Sequence, residues 1–487
     1  MKDVVNRETK FRQLPREAWN MGSRLLAITI GLSGWCESAT RCWAEPPASE
    51  KLNVILISLD TVRPDHLSCY GYRRKTTPNI DRIARQGVVF TQAFSQACST
   101  FPSHLAIFTS RYPTSAWLNW QLDETEASTQ ALPELFRRAG YVTAAFTRLR
   151  LSNDLHRGLL GSRAFRGFDR LTEGVRFTFL PRALFELLLQ LHETPFFLFM
   201  HGMDAHEPHV VPITYNGNRF DPSYRGQVPS TMYELRMRLA SRLSLQDPWR
   251  LPDEQRESGA LLRDAYLDQI TAREGVSKAD RRHVQAVYDA QLAYLDQGLG
   301  ELFVALQNVG LMERTLIVII SDHGQEFWEH GRGAVHMTCY NEVIRMVLIV
   351  RDPRVPHSRH VHQLVQAIDV APTILELAGL PVPPSVQGRS LGPLLRTGND
   401  PSREAIAVSR CGGTSAIRVP HWTLITSDGT PTELYHVAND RKEQHNLITQ
   451  RPDVAERLAR RLDEQVGGNP AGPTVDPERW MQEHGYW

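Results

Sequence analysis

Three short apolar runs along the chain each stop at acidic or histidine residues. They are KLNVILISLD, which ends at Asp60, TPFFLFMHGMDAHEPH, which ends in aspartate and histidines, and RTLIVIISDHGQE, which reaches Asp322 and His323. Uninterrupted apolar runs of this length are typical of strands buried on both faces of a parallel sheet. Ligands collect outside the carboxyl ends of such strands, so the pattern predicts one shared site at the three strand ends.

Helical repeats lie between these runs. The segment HVQAVYDAQLAYLDQGLGELFVALQNVG repeats apolar residues at helical spacing, and Gly310 stands near its expected end. Strands that alternate with helices predict an α/β fold with a mainly parallel sheet covered on both faces. We expect this catalytic domain to span residues 51–395.

The pattern changes after about residue 396. SAIRVPHWTLITSDGTPTELYHV alternates apolar and polar residues around an Asp-Gly pair, which predicts an antiparallel hairpin, and DVAERLARRLDEQV predicts a helix packed on it. Residues 396–487 are therefore expected to form a small α+β subdomain. The polar, proline-interrupted section 214–282 is expected to be an insertion near the site mouth or a solvated surface elaboration.

Composition adds constraints on partners and location. The chain has 55 basic and 54 acidic residues, a formal charge of +1, so no overall field attracts nucleic acid, and an anionic substrate must be held locally. Residues 1–50 combine a basic start, the run LLAITIGLSGW, which is too short to span a bilayer, and a small-x-small site near Ala44. They predict a secretory signal and a periplasmic or secreted enzyme. The alternative is a cytoplasmic extension.

The acidic and histidine residues at the strand ends point to metal chemistry. Asp60, Asp322 and His323 offer two carboxylates and an imidazole, which can bind one divalent cation together with a hydroxyl and water. Mixed oxygen and nitrogen ligands favour zinc or manganese over calcium, which prefers oxygen alone. No other part of the sequence has the pattern of a membrane span, and no pattern indicates an oligomer.

The stretch QACSTFPSHLAIFTS contains three candidate nucleophiles, Cys98, Ser99 and Thr100. Pro102 fits the first turn of a helix, so Thr100 should lie at or just before the helix start, where the helix dipole favours an anion. A threonine there is also a common N-cap, and the local pattern leaves both roles open. His206 has an ordinary pKa near neutrality, which suits a group that protonates a leaving alcohol.

The chain resembles the sulfatase family of the alkaline phosphatase superfamily. The matching blocks, which follow the family order from about residue 52 to 447, are NVILISLDTVRPDHLSCYGY, TPNIDRIARQGVVFTQAF, TFPSHLAIFTSRYP, MDAHEPH, YDAQLAYLDQGLGELFVAL, TLIVIISDHGQEFWEHG, AIDVAPTILELAGLP and ELYHVANDRKEQHNL. The resemblance implies a large mixed sheet flanked by helices, a small C-terminal sheet domain, and metal-assisted hydrolysis through a covalent enzyme ester.

The resemblance also assigns roles to individual residues. Alignment on Pro102 and Ser103 places Thr100 at the nucleophile position, where family sulfatases carry a Cys or Ser that becomes formylglycine, so formylglycine is not expected here. His104 replaces the usual arginine, Thr61 replaces an aspartate, and His336 replaces a lysine. This threonine-nucleophile variant resembles phosphodiesterases and phosphonate hydrolases of the superfamily as much as true sulfatases.

The sequence thus predicts a metal-dependent hydrolase of sulfate or of phosphate and phosphonate esters. Thr100 is expected to attack and to join the metal site, His206 to protonate the leaving group, and His336 to activate water, with His104 as a further catalytic histidine. The substrate is expected to be a small-molecule, glycan or lipid ester, and Asp204 and His330 are expected to bind it. Asp204 could instead orient the ring of His206. Two other functions stay open, a phosphoryl or phosphoethanolamine transferase and an inactive sulfatase-like binding protein.

Overall fold

The computed structural model describes residues 51–466, apart from 119–128, 149–164, 166, 178–180, 243–265, 267–275, 332, 334–335 and 356–357. The predicted leader, residues 1–50, lies outside the described residues, as do much of the predicted insertion and the last 21 residues, 467–487. No helix in the described ranges combines the length and the apolar composition that crossing a bilayer requires.

The first part of the described chain is built on a large mixed sheet. Its strands and those of a small neighbouring sheet are β1 (Asn53–Leu59), β2 (Val88–Phe90), β3 (Ala93–Phe94), β4 (Val142–Thr147), β5 (Arg170–Glu173), β6 (Phe196–Gly202), β7 (Thr315–Ile320), β8 (Leu348–Arg351), β9 (Arg359–Val361) and β10 (Val365–Gln366). Eight of them form one sheet in the order β5-β4-β6-β1-β7-β8-β2-β9, and β3 pairs with β10. The three predicted strands are β1, β6 and β7, and they are parallel neighbours at the centre.

Helices cover both faces of this sheet. They are α1 (Pro78–Ala84), α2 (Thr100–Thr109), α3 (Ser115–Leu118), α4 (Leu132–Arg138), α5 (Pro181–Gln190), α6 (Met232–Arg242), α7 (Lys278–Asn308), α8 (Asn341–Ile344), α9 (Val370–Leu377), α10 (Gly392–Thr397) and α11 (Pro452–Val466). Alternate residues of β1 point into two different cores, Ile55 and Ile57 into the core that contains α1, α5 and α7, and Val54 and Leu56 into the core that contains α2, α4 and α9. The uninterrupted apolar run of β1 reflects this burial on both faces.

The predicted long helix is α7. It begins with a capping box in which Ser277 and Asp280 satisfy each other's backbone N–H groups. The chain leaves the helix through Gly310, whose φ of +73° is the left-handed conformation that glycine adopts without strain.

A second, antiparallel sheet follows the large one. It contains β11 (Ala407–Cys411), β12 (Thr414–Val419), β13 (Trp422–Ser427) and β14 (Thr430–His436) in sequential order, and α11 packs on one face of it. The predicted Asp-Gly turn joins β13 to β14, with positive φ at both Asp428 and Gly429, as a two-residue hairpin requires. The fold class expected from the sequence, a large mixed sheet flanked by helices with a small α+β part after it, is confirmed. The boundary expected near residue 396 falls within α10.

We expect Phe197→Ala to destabilise the protein strongly. Phe197 in β6 is fully buried and stacks on Phe136, with ring centroids 4.7 Å apart. Its truncation should lower the free energy of unfolding by about 3–5 kcal/mol, because it removes buried apolar surface and leaves a cavity. Urea denaturation followed by circular dichroism measures the change. Phe185→Ala, at a position 38% exposed in α5, is the control and should cost less than about 1 kcal/mol; equal losses at the two positions would contradict the packing described.

Candidate active site

The central strands bring their polar ends together. Asp60 directly follows β1, His201 lies near the end of β6 beside Ser58 of β1, and Asp322 follows β7 by two residues. All three side chains at these ends, Asp60, His201 and Asp322, are buried. The parallel arrangement therefore brings the three strand ends to the same edge of the sheet, where the apolar runs predict one shared site.

Asp60, Asp322 and His323 form a compact group. One ligand atom from each lies within 4.8 Å of the others, and His323 Nε2 is 3.6 Å from Asp322 Oδ2. Burial and the charge of Asp60 raise the pKa of Asp322 well above its ordinary value. Burial opposes ionisation of Asp60 too, but nearby histidines, His201 foremost, outweigh it and hold the pKa of Asp60 below its ordinary value. Two buried carboxylates at this separation require positive charge close by.

The loop after Asp60 is strained. Thr61 has a φ of +58°, a left-handed conformation that is rare for a β-branched residue and costs on the order of 1–3 kcal/mol. Its N–H donates to Asp322 Oδ1 at 3.3 Å, its hydroxyl donates to the Asp60 carbonyl at 2.7 Å, and its carbonyl accepts from the Tyr288 hydroxyl at 3.0 Å. Thr61 thus ties the two aspartates together through its backbone and side chain.

The loop after Asp322 depends on a glycine. Gly324 packs against the backbone of Glu342, and a Cβ at this position would collide with the Glu342 carbonyl oxygen. The close approach places the Gly324 carbonyl 2.9 Å from His323 Nδ1. That carbonyl can only accept, so His323 carries its proton on Nδ1 and directs the Nε2 lone pair toward Asp322.

Four buried side-chain atoms of this edge have no hydrogen-bond partner in the described part of the chain: Asp60 Oδ1, His201 Nε2, Asp322 Oδ2 and His323 Nε2. Buried polar atoms are normally paired, so a group of unpaired ones requires an explanation. Carboxylate oxygens and neutral imidazole nitrogens are common ligands of divalent cations. The residues present at this edge therefore fit a divalent metal ion.

Thr100 is the first residue of α2, and Ser99 occupies the N-cap position. The Thr100 hydroxyl donates to Asp60 Oδ2 at 3.2 Å, so it faces the buried carboxylates. The sequence left a cap and a nucleophile as alternatives at this position. The structure gives the cap position to the preceding serine and the contact with Asp60 to the threonine.

Cys98 occupies a different environment. It belongs to a buried apolar cluster that also contains Cys339 and Cys411, and burial raises the pKa of its thiol. Only its backbone turns toward the site, because the Cys98 carbonyl accepts a hydrogen bond of 2.9 Å from His336 Nδ1.

A second group consists of His206, His336 and Glu207. Glu207 is not among the site residues predicted from the sequence. One ligand atom from each lies within 4.8 Å of the others, and His206 Nδ1 is 3.0 Å from Glu207 Oε2. Burial alone would lower the pKa of His206, but the Glu207 carboxylate raises it to about 10. Burial lowers the pKa of His336, whose ring lies 4.6 Å from that of His323. The signal for Glu207 was its place between two histidines in HEPH.

His104 is enclosed by hydrogen bonds. Its Nδ1–H donates to the Thr100 carbonyl at 2.8 Å, and its Nε2 accepts from the Ser58 hydroxyl at 2.9 Å. Burial, with the neighbouring His201, lowers the pKa of His104 to about 3, so the ring is neutral. Its observed contacts hold the first turn of α2 against β1.

Asp204 and His330 make other contacts. Asp204 Oδ2 accepts from the Phe177 N–H at 3.4 Å, and burial raises the pKa of Asp204. The group that contacts His206 is Glu207, not Asp204.

His330 bonds through Nδ1 to Glu342 at 2.6 Å and through Nε2 to the Glu443 carbonyl at 2.9 Å, and it stacks on Tyr340. Glu342 outweighs burial and raises the pKa of His330 to about 9. His330 belongs to a separate group with Glu326 and Glu342, and Asp204 lies in neither the group around Asp60 nor the group around His206.

Solved structures share this fold. One is a protein in complex with its substrate D-glucosamine-2-N,6-O-disulfate, with a TM-score of 0.68, 20% identity, and coverage of 87% of this chain and 99% of that chain. Another is the phosphonate monoester hydrolase of Agrobacterium radiobacter, with a TM-score of 0.66, 21% identity, and coverage of 86% and 96%.

Curated relatives extend over most of the chain. Iduronate 2-sulfatase of Mus musculus is 25% identical over 444 residues, which cover 74% of this chain and 75% of that protein. Arylsulfatase K of Gallus gallus is 25% identical over 476 residues, which cover 88% of this chain and 85% of that protein.

Family models account for both parts of the chain. The model described as N-sulphoglucosamine sulphohydrolase, C-terminal, matches residues 335–467. The Sulfatase model matches residues 52–380, which is more than half of the chain. This match and the named relatives show that the protein belongs to the sulfatase family and is a sulfuric ester hydrolase.

Proposed function

We propose that this enzyme cleaves its ester through a covalent intermediate on Thr100, beside a divalent cation held by Asp60, Asp322, His323 and the Thr100 hydroxyl. The observation that carries the proposal is the 3.2 Å contact between the Thr100 hydroxyl and Asp60, next to buried carboxylate and imidazole atoms that have no hydrogen-bond partner among the described residues. A bound divalent cation lowers the pKa of a hydroxyl ligand and neutralises charge on the nonbridging oxygens of sulfate or phosphate. The nitrogen in the donor set favours zinc or manganese over calcium.

In the first half of the reaction, the Thr100 hydroxyl gives its proton to Asp60 Oδ2, the acceptor of its hydrogen bond, and Oγ1 attacks sulfur or phosphorus in line with the departing alcohol. The bond from that atom to the alcohol oxygen breaks, and His206 gives the oxygen a proton. Glu207 keeps His206 protonated through neutral pH, because it raises the pKa of His206 to about 10. The products are the free alcohol and an ester on Thr100.

In the second half, water attacks the enzyme ester, the bond to Thr100 Oγ1 breaks, and Oγ1 takes its proton back from Asp60. His336 is suited to take the proton of this water, because its Nδ1–H is engaged with the Cys98 carbonyl and burial keeps the ring neutral. His104 acts as a positioning residue, since both its ring nitrogens are bonded and one of them holds the Thr100 carbonyl. Asp204 and His330 are proposed to contact more distant parts of the substrate.

The natural substrate is proposed to be a sulfate ester on a sugar or another small molecule. The relatives named above are iduronate 2-sulfatase and arylsulfatase K, and one structural neighbour was solved with a sulfated glucosamine. A phosphonate monoester or phosphodiester is the second candidate, because threonine replaces the formylglycine precursor and a phosphonate monoester hydrolase shares the fold. The signal-like residues 1–50 support action in the periplasm or outside the cell.

The nucleophile assignment predicts that Thr100→Ala lowers kcat/KM by at least about 1,000-fold, because loss of a nucleophile costs more than loss of one stabilising donor. Turnover is measured on an aryl sulfate, a phosphodiester and a phosphonate monoester. Cys98→Ala is the matched control and should keep most of the activity. Full activity of Thr100→Ala together with inactive Cys98→Ala would place the nucleophile at Cys98. No turnover of any substrate by the metal-loaded wild type would favour a binding protein.

The role of Glu207 predicts a change in the pH profile of Glu207→Gln. Without this carboxylate the pKa of His206 should fall from about 10 to its ordinary value near 6.5 or below, so the protonated acid is lost at lower pH. The alkaline limb of kcat/KM should move in the acid direction, with a loss of about 100-fold at pH 8.5 and little loss below pH 6. Glu193→Gln, at an exposed carboxylate, is the control. An unchanged alkaline limb in Glu207→Gln would contradict the role of Glu207.

Metal removal tests the cation. Dialysis against a chelator should remove about one divalent ion per chain and lower kcat/KM by at least about 100-fold, because a bound cation supplies several kcal/mol of charge stabilisation. Elemental analysis measures the ion, and zinc or manganese should restore activity better than calcium. Full activity of protein that elemental analysis shows to be metal-free would contradict a role for the cation in the reaction.

A further inference from the structure

We infer that His201 is a further ligand of the divalent cation, so that the site offers two carboxylates and two imidazoles. The inference rests on the cation site proposed above and adds a residue to which the sequence patterns gave no individual role. His201 lies in β6, on the far side of β1 from Asp322, whereas the other protein ligands come from β1, α2 and the loop after β7. With it, all three central strands contribute to the site.

His201 lies at the right place for this role. Its side chain is fully buried, and its Nε2 is 3.2 Å from Asp60 Oδ2 without being aligned for a hydrogen bond. A ligand atom of His201 also lies within 4.8 Å of ligand atoms of Asp322 and His104. The ring therefore contacts one of the two carboxylates and lies near the other.

The contact of His201 at Nδ1 allows the tautomer that a ligand needs. Its Nδ1 lies 3.4 Å from the Thr147 hydroxyl oxygen, which accepts from Nδ1–H when the Nε2 lone pair is directed at the carboxylates. His323 has the same arrangement, with Nδ1 bonded to the Gly324 carbonyl and Nε2 unpaired. Histidines that bind metals usually donate their other ring N–H in this way.

Two of the donor spacings are compatible with a small cation. Neighbouring ligand atoms bound to one zinc ion lie about 2.9–3.3 Å apart in five- and four-coordinate sites, given bond lengths near 2.0–2.1 Å. His201 Nε2 is 3.2 Å from an Asp60 oxygen, and His323 Nε2 is 3.6 Å from an Asp322 oxygen. Calcium takes six to eight oxygen ligands at longer distances, so a second imidazole makes the site less suitable for calcium.

The neighbouring His104 is not equivalent to His201. The two rings are 4.8 Å apart, and His104 also has a ring nitrogen within 4.8 Å of Asp322. Both nitrogens of His104, however, already bond to Ser58 and the Thr100 carbonyl. Of these two histidines, His201 is the one that can bind a cation without giving up a hydrogen bond at Nε2.

X-ray absorption spectroscopy on the zinc-loaded full-length protein tests the inference directly. The fine structure should fit two imidazoles per zinc in the wild type and one in His201→Gln, and His323→Gln should also show one. Chelator competition should show a loss of zinc affinity of roughly 10–100-fold or more in His201→Gln, since even the partners that merely orient ligands contribute that much. His283→Gln is the control, because His283 is buried and bonded to Ser230 and Asp221; it should keep two imidazoles and the wild-type affinity.

The outcomes separate this inference from the proposed function. Two imidazoles and wild-type affinity in His201→Gln, with a loss in His323→Gln, would overturn the role of His201 and leave the proposed cation site standing. No loss in either variant would contradict the site itself. Circular dichroism of the metal-free variants checks folding, and if His201→Gln does not fold, a wild-type spectrum that fits only one imidazole is sufficient to overturn the inference.

Discussion

The burial of two facing aspartates is the constraint on which the rest of the site depends. Asp60 and Asp322 end neighbouring parallel strands, so the sheet itself brings their carboxylates together away from water. Their charges repel, and burial adds to the free energy of keeping both ionised. Both can be ionised only where positive charge or a metal ion lies close by, and several histidines of the kind that bind metals surround this edge. The same need for positive charge provides a place where an anionic ester can bind.

A rigid frame holds this unfavourable arrangement in place. Thr61 accepts backbone strain while bonding to both aspartates, and the lack of a side chain at Gly324 lets the backbone of Glu342 in α8 pack closely beside the loop after Asp322. Strain of this size persists only where the surroundings over-determine the conformation. Here β1 is buried on both faces between two apolar cores, so the large hydrophobic interior offsets a locally costly site.

The histidines around this edge differ in protonation state and in hydrogen bonding. His206 is kept protonated by Glu207, His336 is kept neutral by burial, and His104 is neutral with both nitrogens bonded. These differences arise from partners distant in sequence, apart from the adjacent Glu207. A histidine in a motif thus shows where chemistry can occur, whereas its protonation and hydrogen bonds decide which step it can serve.

The sequence by itself determined the architecture, because uninterrupted apolar runs, helical spacing and an Asp-Gly turn are local signals whose burial requirements allow few folds. It also placed Asp60, Thr100 and Asp322 at helix and strand ends, and the family blocks fixed their order. Only the tertiary structure decided that Ser99 occupies the N-cap position of α2, that Glu207 contacts His206, and that His330 belongs to a separate group. It alone brought the strand residue His201 to the carboxylates. Such contacts join positions far apart in the chain or depend on side-chain direction, and neither is encoded in a local pattern of apolar and polar residues.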